Sequence, residues 1–371
     1  MRLRMPLIIL ILVAVTVSSC TTSSGMSQRD SLSLGGMRIG LAQITSLQQI
    51  SELSCRSTSV CVVIGTDHNG RSSINGVDVS TARVVNSATI PVSNQIASLS
   101  CLQEKCLVGA SRCAENNANR DCKGLVYSYN SGGVLTEDYE MPIAPNNPDV
   151  FVSCILPSDC VLVGNEPKGQ AFAYRSPNDG KTWTLASVGG ILGEGAVSGL
   201  TCSSSMICIL TLNAHSSMST ATAPAVGEIA RSIDMGATWS VTSQDQAPST
   251  NYLSGPMCDP LGMCMAVGQL SAHISRDFGG TWNTTDPYSF GVGTTGACSS
   301  TSSCFVVADA KSGSAIGATD NGRDWTSSSL SNVSLNGIQC LAISSCIVVG
   351  STGGVANPVG LIGALTLSPA R

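Results

Sequence analysis

Charged and aromatic residues are scarce in this chain, at 12% and 4% of its 371 residues. No cluster of basic residues is present in the sequence, which argues against nucleic acid as a partner. Histidine is also rare and occurs only as His68, His215 and His273. So few histidines disfavour zinc sites, and we predict no metal and no cofactor. Glycine, serine, threonine and valine are abundant instead, which is typical of many short strands joined by tight turns.

Long hydrophobic runs are lacking too, apart from LIILILVAVTV at residues 7–17, which is too short to span a bilayer comfortably. Positive charge precedes this run and Val-Ser-Ser-Cys20 follows it, an order that resembles the lipobox of bacterial lipoproteins. The resemblance implies that residues 1–19 are a signal peptide and that Cys20 carries a lipid anchor on the extracytoplasmic side of the cell membrane. An ordinary secretory signal that leaves Cys20 unmodified is the alternative. Residues 20–35 are predicted to be a flexible tether.

Removal of the signal would change the charge balance and leave an even number of cysteines. The 19 basic residues lose Arg2 and Arg4, so 17 remain against 24 acidic residues and the net charge becomes −7. Of 17 cysteines, 16 remain when Cys20 is set aside for lipid. Many regularly spaced cysteines in an exported chain predict a disulfide framework.

The cysteines fall into close pairs, and the first members of the seven main pairs are 46, 53, 48, 56, 40 and 42 residues apart. Such a period is typical of propeller blades. The second cysteine of most pairs opens a β-branched run, so each pair is expected to close the mouth of a hairpin. The predicted disulfide pairs are Cys55/Cys61, Cys101/Cys106, Cys154/Cys160, Cys202/Cys208, Cys258/Cys264, Cys298/Cys304 and Cys340/Cys346, with an extra pair Cys113/Cys122.

A second motif follows the cysteine pairs in the later repeats. Three copies read Ser-x-Asp/Asn-x-Gly-x-Thr-Trp, at 176–183, 232–239 and 275–282, and a partial copy lies at 318–325. The acidic or amide side chain can close a turn on backbone N–H groups, glycine permits a positive φ, and tryptophan can be buried between sheets. The motif resembles the Asp-box, or BNR, repeat. Its residues are Ser176, Asn178, Gly180, Trp183, Ser232, Asp234, Gly236, Trp239, Ser275, Asp277, Gly279, Trp282, Asp320, Gly322 and Trp325.

Seven repeats of about four strands predict an all-β fold over residues 36–371, a seven-bladed β-propeller with four-stranded antiparallel blades and a disulfide in the first hairpin of each blade. The last repeat offers three strands, so residues 37–44 are predicted to supply its fourth strand and close the ring. The stretches TDHNG at 66–70 and YNSGG at 129–133 are interpreted as eroded copies of the motif turn.

We name the strands of a blade A to D from the axis outward. Antiparallel order puts the A–B and C–D turns on one face, here the stapled face, and the B–C turns and D–A links on the other, here the loop face. Cysteine pairs and motif turns belong to the stapled face, so we expect binding on the loop face, where segment lengths vary. The candidate residues are Arg112, Arg120, Glu137, Asp138, Tyr139, His215, Asp245, Tyr252 and Tyr288.

The Asp-box pattern on short blades is similar to the propeller family of photosystem II assembly and stability factors, and to actinobacterial exported propellers. These resemblances imply a non-catalytic module that binds or assembles an envelope protein or glycan. The alternative is a sialidase-like exo-glycosidase, which would need three convergent arginines and a Tyr–Glu pair. Arg175, Arg231 and Arg276 are expected instead at the periphery of the stapled face, and we assign no catalytic residue.

Overall fold

The computed structural model describes residues 31–34, 37–91, 94–102, 105–113, 122–143, 149–155, 158–166, 170–186, 195–203, 205–215, 225–244, 252–285, 289–299, 303–320, 322–342, 345–354 and 357–367. These are the described residues, and the signal segment with Cys20 lies outside them. The described residues form seven antiparallel sheets. They contain no helix that is long and apolar enough to cross a membrane.

The strands follow one another in chain order around the ring. The N-terminal strands are β1 (Ser31–Leu34) and β2 (Met37–Ile44). Blade 1 is β3 (Gln49–Cys55), β4 (Val60–Thr66), β5 (Ser72–Asp78) and β6 (Arg83–Thr89), and blade 2 is β7 (Asn94–Leu102), β8 (Lys105–Cys113), β9 (Cys122–Asn130) and β10 (Leu135–Ile143). Blade 3 is β11 (Val150–Ile155), β12 (Asp159–Asn165), β13 (Ala171–Ser176) and β14 (Thr184–Ala186), and blade 4 is β15 (Gly195–Cys202), β16 (Cys208–His215), β17 (Ala225–Ser232) and β18 (Ser240–Gln244). Blade 5 is β19 (Ser254–Cys258), β20 (Cys264–Val267), β21 (Ala272–Ser275) and β22 (Asn283–Thr284), and blade 6 is β23 (Val292–Cys298), β24 (Cys304–Ala310), β25 (Gly313–Thr319) and β26 (Thr326–Ser331). Blade 7 contains β27 (Val333–Ala342), β28 (Ser345–Thr352) and β29 (Val359–Leu367).

The ring closes as the sequence predicts, because the N-terminal strand β2 completes blade 7. It pairs antiparallel with β29 from Met37↔Leu367 to Ile44↔Gly360. Strand β1 then adds a fifth, outermost strand to the same sheet. Residues 31–34 had been assigned to the flexible tether, so that assignment does not hold for them.

All eight predicted disulfides are present. Seven join the A and B strands of one blade at paired positions. The eighth joins strands B and C of blade 2, at the end of strand B that lies farther from the A–B turn. Every blade is therefore covalently closed at its stapled-face turn. The bonds are Cys55–Cys61, Cys101–Cys106, Cys154–Cys160, Cys202–Cys208, Cys258–Cys264, Cys298–Cys304, Cys340–Cys346 and, as the eighth, Cys113–Cys122.

The second cysteine of each A–B pair is also a core residue, which the expected position at the mouth of a hairpin does not by itself imply. Cys106 is 0% exposed and Cys346 is 1% exposed. Cys106 packs in one hydrophobic cluster with Val108, and Cys346 packs in another with Val348. The physical reason is that neighbouring blades cover strand B on both faces, so the cysteine in strand B is buried. The A–B turn that precedes this cysteine is not covered in this way. The spacing of the cysteines predicts the bond but not this burial.

The hydrophobic core lies between blades, and the B strands contribute to it on both of their faces. Five successive residues of β4, Cys61 to Gly65, are buried, whereas the outer strand β6 alternates between exposed and half-buried positions. A strand packed on both faces needs an unbroken apolar run, and this is what the valine-rich segments after the second cysteines supply.

Hydrogen bonds also link neighbouring A strands around the axis. The residue before the first cysteine of a blade accepts a bond from the backbone N–H of the first cysteine in the next blade. These bonds are Cys101 N to Ser54 Oγ (3.1 Å), Cys154 N to Ser100 Oγ (2.9 Å), Cys202 N to Ser153 Oγ (2.8 Å) and, across the closure, Cys55 N to Gln339 Oε1 (2.7 Å).

One of the two eroded turns was assigned wrongly. Residues 129–133 do connect strands C and D of blade 2, but residues 66–70 form the B–C turn of blade 1. There Asp67 Oδ1 accepts hydrogen bonds from the backbone N–H groups of Asn69 (2.8 Å) and Arg71 (2.9 Å). The same acceptor chemistry serves either kind of turn, so the local sequence could not distinguish them.

Candidate binding surfaces

The motif turns of the stapled face share one hydrogen-bond pattern, and we call the turns that end at Trp183, Trp239, Trp282 and Trp325 the Trp turns. In the blade 4 copy, Asp234 Oδ1 accepts from Ser232 Oγ (2.8 Å) and from Thr238 N (2.8 Å). The N–H of the motif glycine donates to the same serine oxygen at 2.8 Å. Blades 3 and 5 repeat this pattern, with Asn178 taking the place of the aspartate in blade 3. The side chains of these turns are therefore committed to holding the backbone.

The glycine of each Trp turn needs a left-handed conformation. Its φ is +76° at Gly180, +77° at Gly236, +75° at Gly279 and +76° at Gly322. A side chain is sterically costly there, which explains why glycine recurs at this one position. In blade 6 Thr319 Oγ1 accepts a hydrogen bond from Gly322 N (2.9 Å), so this threonine replaces the missing motif serine as acceptor.

The carboxylates in these turns are stabilised in their charged form. Burial alone would raise the pKa of Asp234, but hydrogen bonds from Thr238 and Ser232 outweigh it and the pKa is lowered. Asp277 shows the same balance, with bonds from Thr281 and Ser275. Neither group has the raised pKa expected of a general acid.

The tryptophans seal each blade against the preceding one. Trp183 packs in a cluster with Leu107 of blade 2, and Trp239 packs with Val161 of blade 3. Trp239 is 3% exposed and its indole N–H donates to the carbonyl of Gly236 at 3.1 Å. These contacts give the Trp turns a structural role.

Three of the predicted binding residues, Glu137, Asp138 and Tyr139, are not in a loop. They lie in strand β10, where a bulge falls between Glu137 and Tyr139. Asp138 forms an ion pair with Lys105 at 3.4 Å, close to the stapled face. Tyr139 packs against Trp183 with ring centroids 6.2 Å apart. Polar residues and a proline made this strand look like a loop, but an outermost strand is solvated and tolerates them.

Arg112 lies at the loop-face end of β8, within an ionic network on the side of blade 2. It contacts Glu140 at 2.9 Å and Glu137 at 3.5 Å, and Lys123 contacts Glu140 at 2.8 Å. The hydrogen bond from Lys123 is the main reason that the pKa of Glu140 is lowered. Exposed pairs of this kind add little stability.

The remaining candidates divide into two groups. His215 is the last residue of β16, at the loop-face end of blade 4. Tyr252 lies just before β19 on the loop face and is 47% exposed. Arg120, Asp245 and Tyr288 lie outside the described residues.

Tyr252 is accompanied by two exposed apolar side chains that the sequence interpretation missed, Leu270 and Val292, which are 49% and 45% exposed. Leu270 lies in the B–C turn of blade 5, and Val292 begins the A strand of blade 6. The two segments are joined by a hydrogen bond from Gly293 N to Gln269 O at 2.9 Å. We call Tyr252, Leu270 and Val292 the blade 5 patch. A leucine within a Gly-Gln-Leu-Ser turn was the only sequence signal for it.

Glu52 is a second feature that the sequence interpretation missed. It lies in the innermost strand of blade 1, next to a bulge between Ile50 and Glu52. Burial raises the pKa of this carboxyl from its ordinary value of 4.5 to about 7. The strands that pack closely on β3 carry no charged residue; they are β4, β7, β27, β28 and β29.

The arginines considered for a sialidase-like site lie on three successive blades, at the end of strand C and in the Trp turns. Arg175 and Arg231 each precede the motif serine, and Arg276 follows it in the next blade. Arg231 Nε donates to the backbone carbonyl of Phe278 in blade 5 at 2.7 Å. These positions fit a role in the contact between blades.

A cavity of about 240 Å³ opens on the stapled face between blades 3 and 4. It is lined by Asp159, Cys160, Arg175, Ser176, Pro177, Thr184 and Met235. Within the described part of the chain, no group of three or more His, Cys, Asp or Glu side chains could hold a metal ion. The described histidines lie in different blades: His68 Nε2 is 2.9 Å from the Thr45 carbonyl, His215 ends β16, and His273 is buried in β21 beside Thr284.

Comparisons with known proteins relate this chain to propellers by shape only. No protein-family model and no curated protein matches it. Among solved structures, YCF48 bound to a D1 peptide has a TM-score of 0.58 at 12% identity, over 91% of this chain and 99% of that one. The β-propeller domain of the trilobed protease from Pyrococcus furiosus gives 0.52 at 7% identity, over 86% and 96%. A protein of unknown function from Dyadobacter fermentans gives 0.48 at 11% identity, over 74% and 95%. At such low identity these likenesses show the fold alone.

Proposed function

We propose that this chain is an exported, lipid-anchored and non-catalytic module that binds a segment of an envelope protein through its loop face. The blade 5 patch is the observation that carries this proposal. Its three side chains come from three separate segments and are all exposed, and one of them is a tyrosine, a residue enriched at protein interfaces. The segments of Leu270 and Val292 are joined by the hydrogen bond from Gly293 N to Gln269 O, and exposed apolar patches are typical of contact surfaces.

The structural neighbour bound to a peptide supports this use of a propeller. YCF48 is described in complex with a D1 peptide, and its fold covers 91% of this chain. That likeness concerns the fold, so the proposal takes from it a protein segment as the class of ligand and does not take over the partner.

The anchoring part of the proposal rests on the N-terminal sequence. Cys20 would carry the lipid, and the first described strand begins at Ser31. Fully extended, residues 20–31 would span at most ~40 Å. The propeller would then be held close to the membrane surface, within reach of membrane-bound or envelope partners.

We also propose that the Trp turns are Asp-boxes. The hydrogen bonds of Ser232, Asp234 and Gly236, and the buried ring of Trp239, support this assignment. The sialidase-like alternative has no comparable support among the described residues, because Arg175, Arg231 and Arg276 are spread over separate blades and Arg231 is bonded to a backbone carbonyl. No catalytic residue is assigned.

Crosslinking of the full-length protein in its native cell envelope, followed by mass spectrometry, tests the binding proposal. The variant combines Tyr252→Ser and Leu270→Ser, and the matched control is Ile233→Ser, an apolar residue of the stapled face that is 65% exposed. A specific protein partner should be captured by the natural protein and by the control but not by the double variant. Capture that is equal in all three would refute a role for the blade 5 patch.

An enzymatic assay separates the two classes of function. The purified protein would be incubated with sialosides and a panel of other glycosides. Turnover that disappears when a carboxylate of the loop face is replaced would refute the non-catalytic assignment.

A further inference from the structure

Equivalent positions in successive blades can be compared. The junction between blades 3 and 4 differs from two other junctions in how a basic side chain is bonded. At two blade junctions a basic side chain bonds to the carbonyl of the residue before the motif glycine. Between blades 4 and 5, Arg231 Nε donates to Phe278 O at 2.7 Å, and between blades 2 and 3, Lys105 Nζ donates to Asp179 O at 2.9 Å. Both acceptor residues have a positive φ, of +55° and +58°.

Arg175 is the counterpart of Arg231 at the junction of blades 3 and 4. Each arginine immediately precedes a motif serine that pairs with the second cysteine of its blade, Cys160↔Ser176 and Cys208↔Ser232. Met235, with φ of +57°, is the counterpart of Phe278. Yet among the described residues the guanidinium of Arg175 makes no hydrogen bond and no ion pair. It faces the cavity of about 240 Å³ that it helps to line.

We propose that this cavity is a binding site for one neutral sugar residue, held by Arg175 and Asp159. Both residues line the same cavity and form no ion pair with each other, so the site combines a guanidinium fork and a carboxylate. A guanidinium can only donate hydrogen bonds and an ionised carboxylate can only accept them. Sugar hydroxyl groups do both, so one ring with neighbouring hydroxyls can satisfy the two side chains together.

Charge and size favour this class over the alternatives. An anionic ligand would meet the carboxylate of Asp159 and that of Asp234, which is close enough to interact electrostatically with Arg175. A cationic ligand would be repelled by Arg175. The exposed ring of Pro177 supplies apolar surface for the carbon face of a sugar. The volume lies below the roughly 300–1,000 Å³ typical of sites for drug-sized ligands, which suits a single ring.

This site is separate from the blade 5 patch, since it lies on the opposite face. The stapled face, which the sequence interpretation set aside as structural, would then also bind a ligand. The protein segment and the sugar could be bound at the same time.

Saturation-transfer NMR on the full-length protein tests the proposal. The probes are the methyl glycosides of glucose, galactose, mannose and N-acetylglucosamine at millimolar concentrations, with acetate as the anionic probe. At least one glycoside should bind saturably. Replacing Arg175 by Ala or Asp159 by Ala should weaken that binding at least about tenfold, since each removes a hydrogen bond to a charged group.

The matched control is Lys181→Ala, which removes a positive charge from the same turn but outside the cavity lining. It should leave binding unchanged, as should Tyr252→Ser on the loop face. If Arg175→Ala does not fold, Arg175→Lys serves instead, because lysine keeps the charge but loses the planar fork. Absence of binding by all four glycosides, binding that survives both cavity variants, or acetate binding that depends on Arg175 would overturn the proposal.

Discussion

At the scale of single residues, one acceptor atom organises each complete Trp turn. Asp234 Oδ1 receives both the Ser232 hydroxyl and the Thr238 backbone N–H, each at 2.8 Å. Asn178 Oδ1 receives the corresponding two bonds in blade 3, at 3.0 and 2.9 Å. Aspartate and asparagine therefore occupy equivalent positions in two turns of this chain. The two turns share the acceptor atom and not the negative charge.

Replacing Asp234 by Ala should lower the free energy of unfolding by about 1–2 kcal/mol, because the hydrogen bonds from Ser232 Oγ, Thr238 N and Thr238 Oγ1 lose their acceptor. Asp234→Asn should cost less than about 0.5 kcal/mol, as blade 3 uses asparagine. Urea denaturation of the two variants measures the difference. An equal loss in both would show that the charge, and not the acceptor atom, stabilises the turn.

Glu52 gives a prediction about the pH dependence of stability. Its carboxylate destabilises the folded protein at high pH, whereas a carboxylate paired with a cation would stabilise it. Its pKa is about 7 in the folded protein against an ordinary 4.5, so the folded state binds its proton more tightly than the unfolded chain does. Its effect on stability is absent below pH 4.5, develops as the pH rises towards 7, and is then destabilising by up to roughly 3 kcal/mol.

Glu52→Gln should therefore raise the free energy of unfolding by up to roughly 3 kcal/mol at about pH 8 and change it little at about pH 4. Chemical denaturation of both proteins at the two pH values measures this. Glu228→Gln, in strand C of blade 4, is the control for the loss of one carboxylate and should not reproduce this gain. A gain for Glu52→Gln that is equal at both pH values would contradict the burial of a titrating carboxyl.

At the scale of strands and turns, the sequence predicts well whatever is encoded within one repeat. Cysteine spacing and β-branched runs located the A–B hairpins, and the closing strand β2 was predicted from the missing fourth strand of blade 7. The outer strand β10 was taken for a loop, because solvated edge positions place few demands on residue type. The B–C turn of blade 1 was misassigned for a similar reason, since its Asx chemistry suits either turn.

The candidate sites were predicted less well because they depend on contacts between repeats. The sequence points to Tyr252 but not to Leu270 and Val292, whose segments meet through a hydrogen bond between two blades. Arg175 lines a cavity, whereas its counterpart Arg231 donates to a backbone carbonyl of the next blade. This difference depends on how the blades pack in the folded ring. Neither relation follows from local spacing in the sequence.

The closing strand pair offers two glycines with contrasting surroundings. A Cβ on Gly363 would lie 2.6 Å from Leu41 Cδ2 and 2.7 Å from the Gly40 carbonyl, whereas a Cβ on Gly40 would meet nothing within 4 Å. Gly363→Ala should lower the free energy of unfolding by about 1–3 kcal/mol through overpacking. Gly40→Ala should be neutral or slightly stabilising. Thermal unfolding of both variants measures this, and an equal effect at the two positions would contradict the tight β2–β29 contact.

At the scale of the whole molecule, ring closure makes the two ends of the chain depend on each other. Strand β2 contributes Ile39, Leu41 and Ile44 to the core, at 2%, 7% and 2% exposure. At about 1.5–3 kcal/mol for each buried aliphatic side chain, their loss would cost roughly 5–9 kcal/mol. That is comparable with the whole stability of a typical domain, about 5–15 kcal/mol.

Removing residues 1–30 should therefore leave the melting temperature unchanged, whereas removing residues 1–44 should abolish cooperative unfolding. The longer deletion also exposes the edge of β29, and such an unpaired edge promotes aggregation, which size-exclusion chromatography would detect. A synthetic peptide of residues 37–44 should partly restore a monomeric, cooperatively unfolding protein, because it replaces the pairing from Met37 to Ile44. If the longer deletion remained monomeric with an unchanged melting temperature, the disulfides and the hydrogen bonds between A strands would suffice to hold the ring, and β2 would be dispensable.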